Sequence, residues 1–312
     1  MFSLDSKPPI DLSSLNDPRI ELAGRETIPL QDVTVLILGC GGVGSVAAWI
    51  LAGAGIGSIV VADRETLSSD NVRRHLGTIE DIGREKTAIV AQFVADRFPN
   101  TAIHPRTFCF RHHRDRLRFE IERSTITLVA IDDESLKHMI DSIARERANP
   151  AIFLGVHGDG WGVETIVSDV NRNTPCYGCS AESLGRYGVE IDPLRYGSNP
   201  SYAFRSPIRS DSPWRFADLR AVVAAATFAA DLVVARLHAD RGANNPTLVS
   251  IAQEPSAWFL PLRDIAAWSI KAWNAVPVDT RANPRCSVCS QSVDQTDLES
   301  SPLLSKNDHD RF

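Results

Sequence analysis

Residues 33–44 read Val33-Thr-Val-Leu-Ile-Leu-Gly-Cys-Gly-Gly-Val-Gly44, and Ser45-Val-Ala-Ala-Trp-Ile-Leu51 follows without a break. The first six residues are an apolar run of strand length, the next six a G-x-G-x-x-G turn, and the last seven have the character of a helix. Strand, glycine turn and helix in that order open a nucleotide-binding α/β fold. Gly39 permits the tight turn, Gly41 lets a phosphate approach the backbone, and Gly44 lets the helix pack closely on the strand; the helix N-terminus favours anions. A second strand, Ser58-Ile-Val-Val-Ala62, ends at Asp63. Lying about 20 residues beyond the glycines, its carboxylate can accept hydrogen bonds from ribose hydroxyls. This stretch calls for a nucleotide without saying which.

Outward from the turn, strand-like and helix-like segments alternate, the pattern of a parallel sheet with crossover helices. Strands are expected at 33–38, 58–62, 101–109, 126–131 and 151–156, and helices at 43–54, 84–98, 113–123 and 134–147. Phe98-Pro-Asn100 is a helix stop. From 161 to 170 an apolar run ending in polar residues predicts antiparallel strands at the sheet edge. Residues 171–213, rich in Pro, Ser, Arg and Tyr, are too long for an ordinary connection and read as a functional loop insertion near 180–215. The stretch 217–239 is apolar almost all round and reads as a buried helix, its Arg220, Asp231 and Arg236 arguing against a membrane span. Residues 247–252 and 257–262 look like a short β pair. The expected fold is α/β, modified Rossmann-like, with a mainly parallel sheet and antiparallel edge strands. Residues 1–30 form an N-terminal extension, 31–290 one domain, and 291–312 a polar, flexible tail.

The chain has 312 residues, 43% hydrophobic and 23% charged, enough for a full core. A formal net charge of −6 gives no basic footprint for nucleic acid or an anionic membrane. Apolar stretches fall short of bilayer-spanning length, and Met1-Phe-Ser-Leu-Asp-Ser-Lys-Pro-Pro9 lacks the cationic and apolar regions of a secretory signal. The expectation is a cytoplasmic protein with small-molecule or protein partners, without nucleic acid or membrane.

The cysteines suggest a metal. Cys176-Tyr-Gly-Cys179 and Cys286-Ser-Val-Cys289 are two C-x-x-C pairs, and four thiolates satisfy tetrahedral zinc in a closed structural site. Such a site would clip the long loop segment to the C-terminal end. Cys40, inside the turn, and Cys109, in Thr107-Phe-Cys-Phe110, read as small buried hydrophobes.

Five elements in order complete the reading: the glycine turn with Asp63, Asp70-Asn-Val-Arg-Arg-His75, Asp81-Ile-Gly-Arg-Glu-Lys86, Leu128-Val-Ala-Ile-Asp-Asp133, and the two cysteine knuckles. Together they resemble the ThiF/MoeB/HesA family, relatives of ubiquitin-activating enzymes. The resemblance implies an adenylyltransferase that uses ATP and Mg²⁺ to adenylate the C-terminal carboxylate of a ubiquitin-like or sulfur-carrier protein or peptide, releasing pyrophosphate. Carried over by residue, Gly39, Gly41, Gly42 and Gly44 hold the nucleotide and Asp63 the ribose. Asn71 and Arg74 grip phosphates, with His75 standing where the family has glutamine. Lys86 lies near the ATP phosphates, and Asp132 is the magnesium ligand, with Asp133 in place of the family's asparagine as the other acid able to hold the ion. The family's N-terminal arginine, which enters a partner subunit's site, matches Arg19, with Arg25 in reserve, implying a homodimer. Relatives use a cysteine between the first knuckle and the next helix, yet 180–239 contains none. An external acceptor is therefore expected. Two other readings stand beside this one: an NAD-dependent oxidoreductase, favoured by the turn and Asp63, and a catalytically weak, zinc-stabilised partner-binding member, favoured by His75 and Asp133.

Overall fold

The apolar run forms β1, Thr34–Leu38, whose alternate side chains enter two different cores. Val35 and Ile37 pack on one face of the sheet and Leu36 and Leu38 on the other. Burial on both faces is why the strand reads as a continuous apolar run. The glycine turn leads into α1 (Gly42–Gly53), which covers the first face.

In this computed structural model the described residues are 29–156, 162–184, 219–242, 256–262, 264 and 271–289. After α1 come β2 (Ser58–Asp63), α2 (Lys86–Ala95), β3 (Ala102–Thr107), α3 (Arg114–Glu122), β4 (Ile126–Val129), α4 (Glu134–Glu146) and β5 (Ala151–Val156). The five strands are parallel in the order β3-β2-β1-β4-β5. Three more, β6 (Gly162–Ser168), β7 (Ala257–Pro261) and β8 (Val276–Val278), extend the sheet antiparallel from β5. The predicted class and the edge strands are therefore both present.

Several boundaries moved for identifiable reasons. Helix α2 begins at Lys86 rather than 84, because Gly83 takes φ +90° and Glu85 is still extended. Strand β3 stops at Thr107 rather than 109; it is a sheet edge, the place where its Pro105, which lacks a ladder donor, is tolerated. At Ala257–Phe259 both edges of β7 are taken, by β6 and by β8, and the other half of the expected β pair, 247–252, lies outside the described residues. So do all but the last two residues of the N-terminal extension, most of the loop insertion and the tail.

Helix α5 (Tyr177–Ser183) begins just after Cys176 and contains Cys179, and α6 (Leu219–Asp240) packs beside α1. By length and composition α6 could cross a membrane, which corrects the sequence-based statement about apolar stretches. Its Val222, Ala226, Ala229 and Val233 are instead buried in the core shared with α1. Arg236 of α6 is also buried, paired with the buried Asp169 after β6 and, at 3.1 Å, with Asp240.

Candidate functional site

Strand order reverses between β1 and β4, and in open α/β sheets ligands bind at the carboxyl ends of the strands beside such a switch point. The glycine turn follows β1, Asp63 ends β2, and Asp132 follows β4, so all three meet at that end of the sheet. Gly39 has φ +95°, and a β-carbon there would sit 2.5 Å from the Ala130 carbonyl oxygen at the end of β4. A β-carbon on Gly44 would lie 1.8 Å from the Gly39 oxygen, and one on Gly42 2.7 Å from the Arg74 oxygen. Gly41 differs: no described atom lies within 4 Å of that position. The turn is thus pressed against protein on three sides and open at the glycine assigned to phosphate approach.

Asp63 ties the turn to β2. Its Oδ2 accepts from the Cys40 amide at 2.7 Å, and its Oδ1 from the amides of Arg64 (2.6 Å) and Glu65 (3.0 Å). A carboxylate offers about four acceptor sites, so capacity for a ribose hydroxyl is left. His75 clamps the other side. Its Nδ1 accepts from the Gly77 amide at 2.9 Å, which makes Nε2 the donor to the Cys40 carbonyl at 2.8 Å. Burial pushes the imidazole below its ordinary value, consistent with this neutral form. The residue that departs from the family pattern therefore holds the turn in shape.

Lys86, Arg74 and Asp132 lie beside this region. Lys86, 4% exposed at the start of α2, pairs with Glu65 at 2.6 Å, while the Glu65 side chain is 56% exposed. Arg74 sits half-buried on the short helical turn Val72–Arg74, which follows Asn71, and its guanidinium donates to the Asp70 carbonyl at 3.4 Å. Burial lowers the Arg74 pKa, opposed by the charges of Asp70 and Asp132. Asp132 is exposed and makes no side-chain hydrogen bond or ion pair among the described residues. Asp133 is held by three partners: Oδ1 accepts from the Leu136 amide at 3.0 Å and from Ser135 Oγ at 2.7 Å, and Oδ2 pairs with Arg111 at 2.6 Å. It is the N-cap of α4. Neither Glu65 nor Arg111 stands out in the sequence, because each is defined by a partner 21 or 22 residues away.

The four knuckle cysteines converge at a separate place, their sulfurs all within 4.8 Å of one another. Cys176 and Cys286 are 3.6 Å apart and Cys179 and Cys289 3.7 Å. Those spacings match about 3.8 Å, the edge of a tetrahedron whose centre lies about 2.3 Å from each sulfur, as in a zinc site. Amides of Cys176 and Asn283 donate to Cys289 Sγ (3.3 Å) and Cys179 Sγ (3.2 Å). Burial pushes the Cys179 thiol up to about 11, and Cys176 higher still. Four sulfurs this close can all ionise only around a cation, so the donor set fits zinc.

Of the remaining thiols, Cys40 is buried and its pKa is raised by that burial. Cys109 is partly exposed, which corrects the expectation of a buried hydrophobe: β3 has already ended, and its sulfur lies 3.9 Å from the Arg64 guanidinium. Amides of His112 and Arg111, with Arg64, lower its pKa. Arg19 and Arg25 lie outside the described residues.

A family model described as "ThiF family" matches residues 17–238. The sulfur carrier protein ThiS adenylyltransferase of Escherichia coli is 30% identical over 154 residues, covering 48% of this chain and 59% of that protein. The molybdopterin-synthase adenylyltransferase of Salmonella typhimurium is 27% identical over 158 residues, 50% of this chain and 61% of that protein. The chain thus spans less than two thirds of the length of these curated relatives. Among solved structures, E. coli MccB with ATP superposes with a TM-score of 0.58 at 20% identity, covering 83% of this chain and 67% of that one. At that identity the likeness concerns the fold.

Proposed function

Because this chain belongs to the ThiF family, we propose that it is an ATP-dependent adenylyltransferase acting on the C-terminal carboxylate of a ubiquitin-like or sulfur-carrier protein or peptide. The observation that carries this reading is the meeting of an open Gly41, buried Lys86, Arg74 and an Asp132 without a hydrogen bond or ion pair among the described residues at one sheet end. The relatives named above are adenylyltransferases, one of a sulfur carrier, and MccB was solved with ATP.

A carboxylate reacts poorly as an acyl donor because its leaving group would be oxide; as an acyl adenylate it leaves AMP. The substrate carboxylate attacks the α-phosphorus in line, and charge develops on pyrophosphate. The backbone amides at the start of α1 and the open Gly41 seat phosphate oxygens. Arg74 offers a forked donor and Lys86 a point charge, which would exchange Glu65 for phosphate oxygens. Asp63 keeps the turn in place and has an acceptor site left for ribose. Asp132 is the better magnesium ligand of the two acids, since Asp133 is committed to its cap and to Arg111. Bound Mg²⁺ supplies neutralisation of the phosphate charge. No general base is required, since the attacking carboxylate is already ionised. The four cysteines hold zinc in a structural role, and with none from 180 to 239 the adenylate passes to an external nucleophile. The NAD-dependent alternative accounts for the turn and Asp63 and leaves Arg74, Lys86 and Asp132 without a task.

ATP–pyrophosphate exchange with a candidate tail ending in Gly-Gly is the test. Asp132→Ala is expected to lower exchange by on the order of a hundredfold. Full exchange in that variant would remove the magnesium assignment, and no exchange with any such tail would remove the proposed activity.

A further inference from the structure

Tyr177 lies in the chain between Cys176 and Cys179, so its backbone cannot move independently of two sulfurs of the cysteine site. Its ring leaves that site and enters the core, with no exposed area, 4.6 Å from the Phe153 ring and 5.3 Å from His138. There it grips α4 twice. The Tyr177 amide donates to Asp141 Oδ2 at 2.9 Å and its hydroxyl donates to Glu134 Oε2 at 2.7 Å. Glu134 and Asp141 are seven residues apart, about 10.5 Å along the helix axis. Helices α5 and α4 are also pressed together: a β-carbon on Gly178 would come 3.0 Å from the His138 ring.

Glu134 is the first residue of α4, and the two residues before it are the cap Asp133 and the exposed Asp132. Its other oxygen accepts from Lys137 at 3.3 Å, whose side chain is 3% exposed. A phenylalanine at 177 would fill the same space without calling for a largely buried carboxylate, which costs desolvation. What the hydroxyl adds is a directional, charge-assisted bond that fixes where α4 begins.

We propose that Tyr177 and Glu134 are positioning residues that couple the metal-holding cysteines to Asp132, so that filling the cysteine site sets how tightly the nucleotide site takes Mg²⁺. This rests on the assignment of Asp132 as the magnesium ligand. Loss of the cysteine-bound metal loosens the start of α5, Tyr177 releases Glu134, and the backbone carrying Asp132 loses one of its anchors while the Asp133 cap and its Arg111 pair remain.

The test is calorimetric ATP binding across a Mg²⁺ series, with zinc content measured on the same samples. Tyr177→Phe is expected to raise the Mg²⁺ needed for half-maximal binding by on the order of tenfold with zinc content unchanged. Glu134→Ala should do the same and Glu134→Gln, which keeps an acceptor oxygen, less. Stripping zinc from the wild-type chain should shift its Mg²⁺ requirement as Tyr177→Phe does, and stripping the variant should add little. Tyr177→Phe binding like wild type at full zinc content overturns the coupling, as does an equal shift on stripping both proteins. Should stripping unfold the chain, the zinc-loaded Tyr177→Phe comparison decides alone. Asp132→Ala with an unchanged Mg²⁺ requirement would overturn the magnesium assignment, a failure distinct from one confined to Tyr177.

Discussion

At the scale of single residues, His75 shows how a departure from a family pattern can preserve what the pattern does. The imidazole donates through Nε2 to Cys40 and accepts through Nδ1 from Gly77, and a glutamine amide can also donate with one atom and accept with the other. His75→Gln should therefore keep most of the stability, whereas His75→Ala strands a buried carbonyl and amide at about 1–3 kcal/mol each; urea midpoints will tell them apart. The pH dependence has a definite sign. Burial lowers the folded imidazole pKa from 6.5, so on acidification the unfolded chain takes up this proton first. The stabilisation is complete above 6.5 and declines as pH falls from there toward the lowered folded value. Unfolding measured from pH 7 to 5 should show wild type losing stability faster than His75→Gln. The family pattern placed residue 75 in a phosphate-gripping element and did not imply that it braces the turn. Which ring nitrogen does what was set by Cys40 and Gly77, and a sequence does not state that geometry.

Elements divide labour between neighbouring acids. Asp133 caps α4 and pairs with Arg111, while Asp132 is outside the helix and has no hydrogen bond or ion pair among the described residues. Asp133→Ala is expected to cost about 1 kcal/mol through the lost cap. Its Mg²⁺ requirement should change far less than that of Asp132→Ala, which should leave thermal stability nearly unaltered. A large Mg²⁺ shift in Asp133→Ala alone would reverse the two roles. The sequence left both acids open because an acid before a helix serves equally well as cap or ligand, and only the Leu136 amide and Arg111 separate them. The knuckles were legible from their spacing, since C-x-x-C is itself a geometric statement about two sulfurs on one turn. Metal analysis of Cys286→Ser should fall from one zinc per chain to a small fraction, with a lower melting temperature. Strand β8, in contrast, was missed: Val-Pro-Val is too short for an alternation to register, and its proline is tolerated because the strand ends the sheet.

Across the whole molecule, the sheet joins both halves of the chain, with residues 34–156 supplying the parallel part and the segments after 161 the antiparallel part. The cysteine cluster closes the long circuit by holding α5 against residues 286–289. If Arg19 serves the site of a second copy, mixing Arg19→Ala and Asp132→Ala chains should restore up to about a quarter of wild-type exchange, because a mixed dimer keeps one intact site; no restoration would place Arg19 outside the neighbouring site. By itself the sequence determined the alternation of elements, the glycine turn, the family pattern and the sulfur donor set. Each of these is written in short-range spacing: hydrophobic period, glycine placement, C-x-x-C. Only the tertiary structure decided which acid is committed and which is unpaired, that Lys86 is held by Glu65, that Cys109 reaches the surface beside Arg64, and that Tyr177 links the cysteines to the start of α4. Those are contacts between residues tens of positions apart, made by packing the elements together, and no local spacing encodes them.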